Sequence, residues 1–263
     1  MQNFDNINLN NISDAFYNFH NAKPFDHCVI DNFFKDNIAD QLSEEIPSFE
    51  SPFWHEYNNA IEIKKTCNDW NKFPKLTYNT FSFLNSSIFI KYLEGLSKNC
   101  PLFADHGLNG GGWHIHSNGG KLNPHLDYSI HPKLVLQRKL NIIIYLEKDW
   151  QNEWGGHLGL YSDTESDKSK KLEIEIEPKF NRCVIFDTTQ NSWHGLSQVV
   201  NTPPHYCRKS IAVYYLTLPP KNVNERCKAL FAPTKEQDGD KEVIDLIHKR
   251  SNINSSSSVY KNI

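Results

Sequence analysis

The chain has 263 residues, of which 38% are hydrophobic and 13% aromatic, so it can bury a sizeable core. Its 28 basic and 31 acidic residues leave a formal net charge of −3, which excludes a strong field toward nucleic acid or an anionic membrane, and we expect neither as a partner. No run approaches a membrane span, no signal-peptide pattern opens the chain, and six scattered cysteines are typical of reduced thiols, so we expect a cytoplasmic protein.

Residues 1–104 are predicted to be mainly helical. Asp36 is a candidate N-cap, and Ile38, Leu42 and Ile46 recur every four positions on one face of the helix that would follow it. This spacing predicts an amphipathic helix that packs on a core.

Ser86 opens a second helical segment in this N-terminal part. Phe89, Tyr92, Leu93 and Leu96 repeat at i, i+3, i+4 and i+7, which marks one buried stripe. Core packing explains these aromatic residues better than a cofactor site does.

Residues 105–218 change to short strands separated by turn residues. Residues 172–177 alternate apolar and acidic side chains, which predicts a strand with one face in water. Residues 141–146 and 182–186 are almost continuously apolar, as expected for strands covered on both faces. Many short strands preceded by helices predict a mostly β fold, a double-sheet jelly roll or barrel packed against the N-terminal helices.

Residues 219–263 form a polar C-terminal extension, and we treat residues 1–263 as a single domain. A last helix is predicted to begin near Asp240 and to present Lys249 and Arg250 at its C-terminal end. The serines at 255–258 indicate a frayed tail. The sequence gives this extension no role.

His125 and Asp127 are the strongest candidates for a metal site. Because they are two residues apart, a strand would direct both side chains to one face and Leu126 to the other. His194, which follows the apolar strand at 182–186, is the candidate third ligand. Two histidines and one carboxylate leave coordination positions open, as in Fe(II) oxygenases that bind a co-substrate and O₂ together.

Arg208 is the candidate cation for the distal carboxylate of 2-oxoglutarate. Its planar guanidinium pairs a carboxylate in bidentate fashion. Alternation along the strand places Arg208, Ser210, Ala212 and Tyr214 on one face, where the small residues leave room for a ligand and Ser210 adds a hydroxyl. An exposed arginine in an ordinary edge strand is the alternative.

Several motifs together resemble the prolyl 4-hydroxylase-like branch of the Fe(II)/2-oxoglutarate-dependent oxygenase superfamily. They are GGGWHIHSNGGKLNPHLD, RKLNIIIYLEKDW, EWGGHLGLY, SWHGL and RKSIAVYY, in the family's order over about residues 105–218. The resemblance implies a double-stranded β-helix (cupin-like) core, Fe(II) on His125, Asp127 and His194, and 2-oxoglutarate on Arg208.

The resemblance also implies a hydrogen bond from Tyr145 to the co-substrate, although a buried core tyrosine is an equal alternative. His114 and His116 share a strand face that leads to the metal strand, but a structural role suits them better. Trp193 and His131 are the candidates for substrate contact.

By resemblance the chain is an Fe(II)- and 2-oxoglutarate-dependent dioxygenase that uses O₂ to hydroxylate an unactivated C–H bond, of a prolyl residue in a peptide or protein. Tyr214 stands where related nucleic-acid demethylases have a second arginine, which argues against base repair. The alternatives are a small-molecule hydroxylase, a non-catalytic cupin-like binding module, and a zinc hydrolase, which would give Arg208 no task. The sequence does not identify the substrate or the oligomeric state.

Overall fold

The computed structural model describes most of the chain, namely residues 6–35, 37–98, 101–164 and 168–255. The candidate N-cap Asp36 and the serines at 256–258 lie outside the described residues.

Five α-helices form within the described residues: α1 (Leu9–Phe16), α2 (Ile38–Glu45), α3 (Lys75–Leu84), α4 (Ser87–Ser97) and α5 (Lys241–Ser251). Two helices begin where the sequence predicts, since the Ser86 side chain accepts a hydrogen bond from the Phe89 amide and Asp240 accepts two from the first turn of α5. Among the described helices, none combines the length and the apolar character that crossing a membrane requires.

The described part of the chain also contains fourteen strands: β1 (His27–Ile30), β2 (His55–Asn58), β3 (Glu62–Cys67), β4 (Phe103–Ala104), β5 (Gly112–His116), β6 (Lys121–Leu122), β7 (His125–Leu126), β8 (Gln137–Tyr145), β9 (Leu158–Ser162), β10 (Lys171–Ile176), β11 (Cys183–Asp187), β12 (Trp193–Leu196), β13 (Arg208–Thr217) and β14 (Leu230–Phe231). The major sheet has the order β1-β11-β8-β13-β5-β3-β2, with β4 beside β13 and β6 beside β3. The minor sheet has the order β10-β9-β12-β7-β14. The strand pairs are antiparallel, and the two sheets form the predicted jelly roll.

The major sheet separates two layers of side chains. On its helix-facing side, Ile142 and Ile144 of β8 are fully buried in one cluster with Phe89 and Leu93 of α4. On its other side, Tyr145 packs against residues of β9, in the space between the sheets. The strand β8 is therefore covered on both faces, as its apolar sequence predicts, and the odd-numbered residues of its last half are directed toward the interior.

The N-terminal part contains strands that the sequence did not predict. β1 joins one edge of the major sheet, while β2 and β3 extend the other edge beyond β5. These strands are short and their residues are mixed in polarity, so the sequence shows no periodic pattern that would predict them. What fixes β3 is its register with β5, in which Thr66 lies opposite His114. Pairing with a distant strand, rather than local pattern, determined this part of the fold.

Candidate active site

Three side chains that the sequence separates by up to 69 residues converge at the minor sheet. The register of β7 and β12 sets His125 directly opposite His194, and Asp127 follows β7 immediately. The two imidazole centroids lie 4.3 Å apart. The distances from Asp127 are 4.0 Å (Oδ1 to His125 Nε2) and 3.8 Å (Oδ2 to His194 Nε2). One donor atom from each residue lies within 4.8 Å of the other two.

Backbone carbonyls fix the orientation of both histidine rings. His125 Nδ1 is 3.0 Å from the Asn123 carbonyl oxygen, and His194 Nδ1 is 2.9 Å from that of Ser192. A carbonyl can only accept, so the proton is on Nδ1 and the Nε2 lone pair is directed at the cluster. Burial lowers the pKa of both imidazoles, which keeps them neutral. Neutral imidazole is the form that binds metal ions.

The Asp127 carboxylate has one oxygen engaged and one free for a ligand. Its Oδ1 lies 3.1 Å from Arg138 Nη1 and accepts a hydrogen bond of 3.3 Å from the Tyr214 hydroxyl. Its Oδ2 is buried and has no hydrogen-bond partner among the described residues. Burial by itself would raise the pKa of Asp127, but the Arg138 guanidinium beside it lowers that pKa below its usual value, so the group is ionised.

This donor set fits a divalent cation. A buried carboxylate oxygen without a partner is costly unless something satisfies it, and here two imidazole lone pairs face the same point. Two histidines and one carboxylate on one side of an ion are the facial arrangement of non-haem Fe(II) oxygenases.

Arg208 lies in the same cavity, which has a volume of about 270 Å³. Its side chain is 4% exposed, and its Nε donates a hydrogen bond of 2.7 Å to the Gly156 carbonyl oxygen. Gly156 adopts φ +64° and approaches so closely that a Cβ atom would lie 3.1 Å from Arg208 Cδ. Ser210 lines the cavity beside Arg208, as the alternation of β13 predicts.

Tyr145 is buried with its ring 4.8 Å from the Arg208 guanidinium carbon. The ring packs in the cluster between the sheets, and the hydroxyl has no hydrogen bond within the described residues. Burial raises the pKa of Tyr145, while Arg208 opposes that rise. This position is compatible with a core tyrosine and with a hydrogen bond to the co-substrate, because the ring packs in the core and the hydroxyl can still donate.

The two candidates for substrate contact lie elsewhere. Trp193 is on the opposite face of β12 from His194 and packs with Leu126 and Tyr161. His131 accepts two backbone hydrogen bonds at Nδ1, and its Nε2 lies 3.5 Å from the Asp105 carboxylate. Neither residue is part of the cavity lining, so the geometry gives no support to contact with a bound substrate.

Several residues that line the cavity were missed or set aside by the sequence analysis. They are Glu62, Lys64, His114, His116, Tyr128, Arg138, Phe231 and Arg250. Only the histidines gave a usable signal, since they alternate on β5. The others come from strand β3, from the C-terminal extension, from the segment between β7 and β8 that contains Tyr128, or, for Arg138, from a stretch of β8 where a register shift against β13 interrupts the period.

Positive charge faces the metal cluster from the wall that β3 and α5 build. Lys64 Nζ lies 3.6 Å from Glu62 Oε2, and Arg250 of α5 reaches the same carboxylate at 3.3 Å. Burial lowers the pKa of Lys64, and Glu62 opposes that change. The C-terminal extension, to which the sequence gave no role, therefore contributes to the cavity wall.

Comparison with known proteins shows that part of the chain is similar to a family of oxygenases. The model of the 2OG-Fe(II) oxygenase superfamily matches residues 111–216. Prolyl 3-hydroxylase OGFOD1 of Mus musculus is 26% identical over 214 residues, which are 75% of this chain and 34% of that protein. The chain thus spans about a third of the length of this curated relative.

Two solved structures show the same fold. A prolyl 4-hydroxylase from Phytophthora capsici matches with a TM-score of 0.51 and 17% identity, covering 93% of this chain and 74% of that one. A Pseudomonas putida prolyl-4-hydroxylase matches with a TM-score of 0.50 and 13% identity, covering 80% and 100%. The donor set of the cavity fits both groups in the family's name, Fe(II) and 2-oxoglutarate. The part of the chain that matches the superfamily model, residues 111–216, contains His125, Asp127, His194 and Arg208.

Proposed function

We propose that this chain is an Fe(II)- and 2-oxoglutarate-dependent dioxygenase that hydroxylates a prolyl residue in a peptide or protein. The observation that carries the proposal is that two imidazole lone pairs and an unpartnered carboxylate oxygen converge in one cavity that also holds the buried guanidinium of Arg208. A metal site alone would not need that guanidinium.

His125, Asp127 and His194 hold the metal in this proposal. Their Nδ1 hydrogen bonds and the contact between Arg138 and Asp127 fix the three donors before metal arrives, so binding requires little reorganisation. When bound, Fe(II) together with 2-oxoglutarate and O₂ supplies the oxidising power that breaks an unactivated C–H bond, and 2-oxoglutarate leaves as succinate and CO₂.

Arg208 holds the distal carboxylate of 2-oxoglutarate. Its Nε is committed to the Gly156 carbonyl oxygen, which sets the plane of the guanidinium and leaves the terminal nitrogens for a ligand. The Ser210 hydroxyl lines the cavity, and the Tyr145 ring lies 4.8 Å from the Arg208 guanidinium carbon, so either hydroxyl can complete the carboxylate's hydrogen bonds.

Two further histidines line the cavity as neutral rings. His114 and His116 lie between Lys64 and Arg208, and burial lowers the pKa of both, so the deep end of the cavity carries neutral imidazoles rather than further cations. Neutral rings there exclude water without competing with Arg208 for a dianionic co-substrate.

A prolyl substrate is supported by the relatives, since the curated match is a prolyl 3-hydroxylase and both solved structures are prolyl 4-hydroxylases. They disagree on the ring carbon, so the position of hydroxylation is for experiment to decide. A non-catalytic module or a zinc hydrolase would leave Arg208 without a task. We also propose a cytoplasmic location, with which the free cysteines among the described residues agree.

The experiment is a coupled assay with Fe(II), 2-oxoglutarate, O₂ and proline-containing peptides. We expect succinate to form in proportion to a peptide product heavier by one oxygen, and amino-acid analysis against 3- and 4-hydroxyproline standards to name the carbon. An Asp127→Asn variant and peptides with proline replaced by alanine are the controls. No succinate above the variant's background, with peptides and with cell extract, would contradict the proposal.

A further inference from the structure

Arg138 is held on both faces by aromatic rings. Its guanidinium carbon lies 3.5 Å from the Tyr128 ring centroid and 3.4 Å from that of Tyr214, and the side chain is 2% exposed. Two stacked tyrosines fix the plane of the guanidinium and prevent it from tilting. We call these three residues, Tyr128, Arg138 and Tyr214, the aromatic clamp.

The edge of the guanidinium is fixed as well. Nη2 donates to the Asn109 carbonyl oxygen, and Nη1 lies 3.1 Å from Asp127 Oδ1. Gly110 adopts φ +79°, and a Cβ atom there would lie 2.6 Å from Nη2, so a side chain at this position would displace the arginine. The chain keeps a glycine where the clamp needs the space.

The two tyrosines are fixed in turn. The Tyr128 hydroxyl donates to the Asn109 carbonyl oxygen at 3.1 Å and accepts from Asn109 Nδ2 at 2.7 Å. The Tyr214 hydroxyl donates to Asp127 Oδ1 at 3.3 Å. Both Arg138 and Tyr214 thus engage the same carboxylate oxygen, and no described residue engages Oδ2.

We infer that Arg138 is a positioning residue whose aromatic clamp reserves Asp127 Oδ1 and leaves Oδ2 as the only oxygen that can bind the metal. The inference rests on the metal site of the proposed function. A carboxylate that turned to bind through both oxygens would take a second coordination position. Holding it to one oxygen keeps three positions open, as a bidentate co-substrate and O₂ together require.

Metal binding tests this inference without any turnover. The metal-free chain is titrated with Co(II), whose visible absorption reports coordination number, and the dissociation constant and spectrum are compared among variants. Arg138→Lys keeps the charge but loses the planar fork, and we expect it to bind Co(II) about 10- to 100-fold more weakly, with an altered spectrum. Tyr214→Phe keeps the ring over the guanidinium and removes one donor to Oδ1, so a weaker effect in the same direction is expected.

Arg182→Lys is the matched control. Arg182 also pairs with an aspartate, Asp31, through two hydrogen bonds of 2.6 and 3.0 Å, but that aspartate belongs to no candidate metal cluster among the described residues. The control should bind Co(II) like the wild-type chain. If it weakened Co(II) as much as Arg138→Lys does, the loss would be general and the inference would be overturned.

Wild-type affinity and an unchanged spectrum in a folded Arg138→Lys chain would also overturn the inference. If Arg138→Lys does not fold, Tyr214→Phe decides, because weaker binding supports the clamp and unchanged binding and spectrum refute it. If the wild-type chain bound no Co(II), both the proposed metal site and the inferred role of the clamp would be refuted. A chain that binds Co(II) but hydroxylates no prolyl residue would refute the proposed function and leave the clamp standing.

Discussion

The two sheets of the jelly roll divide the work between stability and chemistry. The major sheet contains the long strands β8 and β13, whose helix-facing residues Ile142, Ile144 and Val213 are almost completely buried. The minor sheet contributes the metal donors from β7, which has two residues, and from β12, which has four. Strands this short bury too little apolar surface to be stable without contacts from other segments.

Local hydrogen bonds and the C-terminal extension hold the short strands instead. β14 pairs with β7, and Phe231 stacks on His125 with 5.1 Å between centroids. Arg226 donates to the Asp127 carbonyl oxygen at 2.9 Å. Contacts from neighbouring segments therefore hold the metal donors in place, whereas apolar packing against the helices stabilises the major sheet.

The largest effect we expect is on turnover when a minor-sheet donor is removed. His194→Gln should reduce 2-oxoglutarate-dependent succinate formation to background, while the metal-free chain keeps its circular dichroism spectrum, because the side chain stabilises the metal rather than the core. His131→Gln is the matched control, since His131 is another buried histidine with backbone partners outside the cavity. If the control also lost turnover, the assignment of His194 as a metal ligand and of His131 as a structural residue would be refuted.

The next effect concerns the cation that the major sheet supplies. Arg208→Lys should raise the KM for 2-oxoglutarate about 30-fold or more (~2 kcal/mol), because a buried bidentate partner is lost. Its neighbour Lys209 pairs with Glu147 at 3.1 Å and does not line the cavity, so Lys209→Gln should leave that KM unchanged. Equal effects from the two substitutions would refute the assignment of strand faces.

The third prediction concerns the free energy of unfolding, which reports core packing of the major sheet. Ile142→Ala should lower the free energy of unfolding by about 2–5 kcal/mol, measured by denaturant titration, because Ile142 is fully buried among helix side chains. On the minor sheet, Leu172 of β10 is 40% exposed, and Leu172→Ala should change stability by about 0.5 kcal/mol or less. A comparable loss from both would mean that the sheets share stability equally.

The last prediction is a dependence of stability on pH. Burial, with Lys64 and Arg208 nearby, lowers the pKa of His114 to about 3. Between pH 6.5 and about 3 the unfolded chain binds a proton that the folded chain refuses, so stability falls as the pH falls, by up to ~1.4 kcal/mol per pH unit for this one group. His114→Gln should reduce that slope in acid titrations of the metal-free chain. An unchanged slope would place the acid sensitivity elsewhere.

Much of the site was predictable because its residues obey a period. The alternation of β13 placed Arg208 and Ser210 together, and the spacing of His125 and Asp127 placed both on one side of a strand. Arg138 was not predictable, because the register shift between β8 and β13 breaks the alternation at the point where it enters the cavity. Trp193 is adjacent to His194 in sequence but is absent from the cavity lining, because neighbouring residues of a strand face opposite ways.

The sequence by itself determined the jelly roll, the candidate ligands, the candidate cation and the resemblance to a family of oxygenases, because these depend on hydrophobic period and on motifs that lie within continuous segments. Only the tertiary structure decided which residues surround the ligands. β3, α5 and the clamp around Arg138 reach the cavity by contacts between distant segments, such as Arg250 with Glu62 across 188 positions. Such contacts are set by strand register and by packing between layers, and neither leaves a local pattern in the chain.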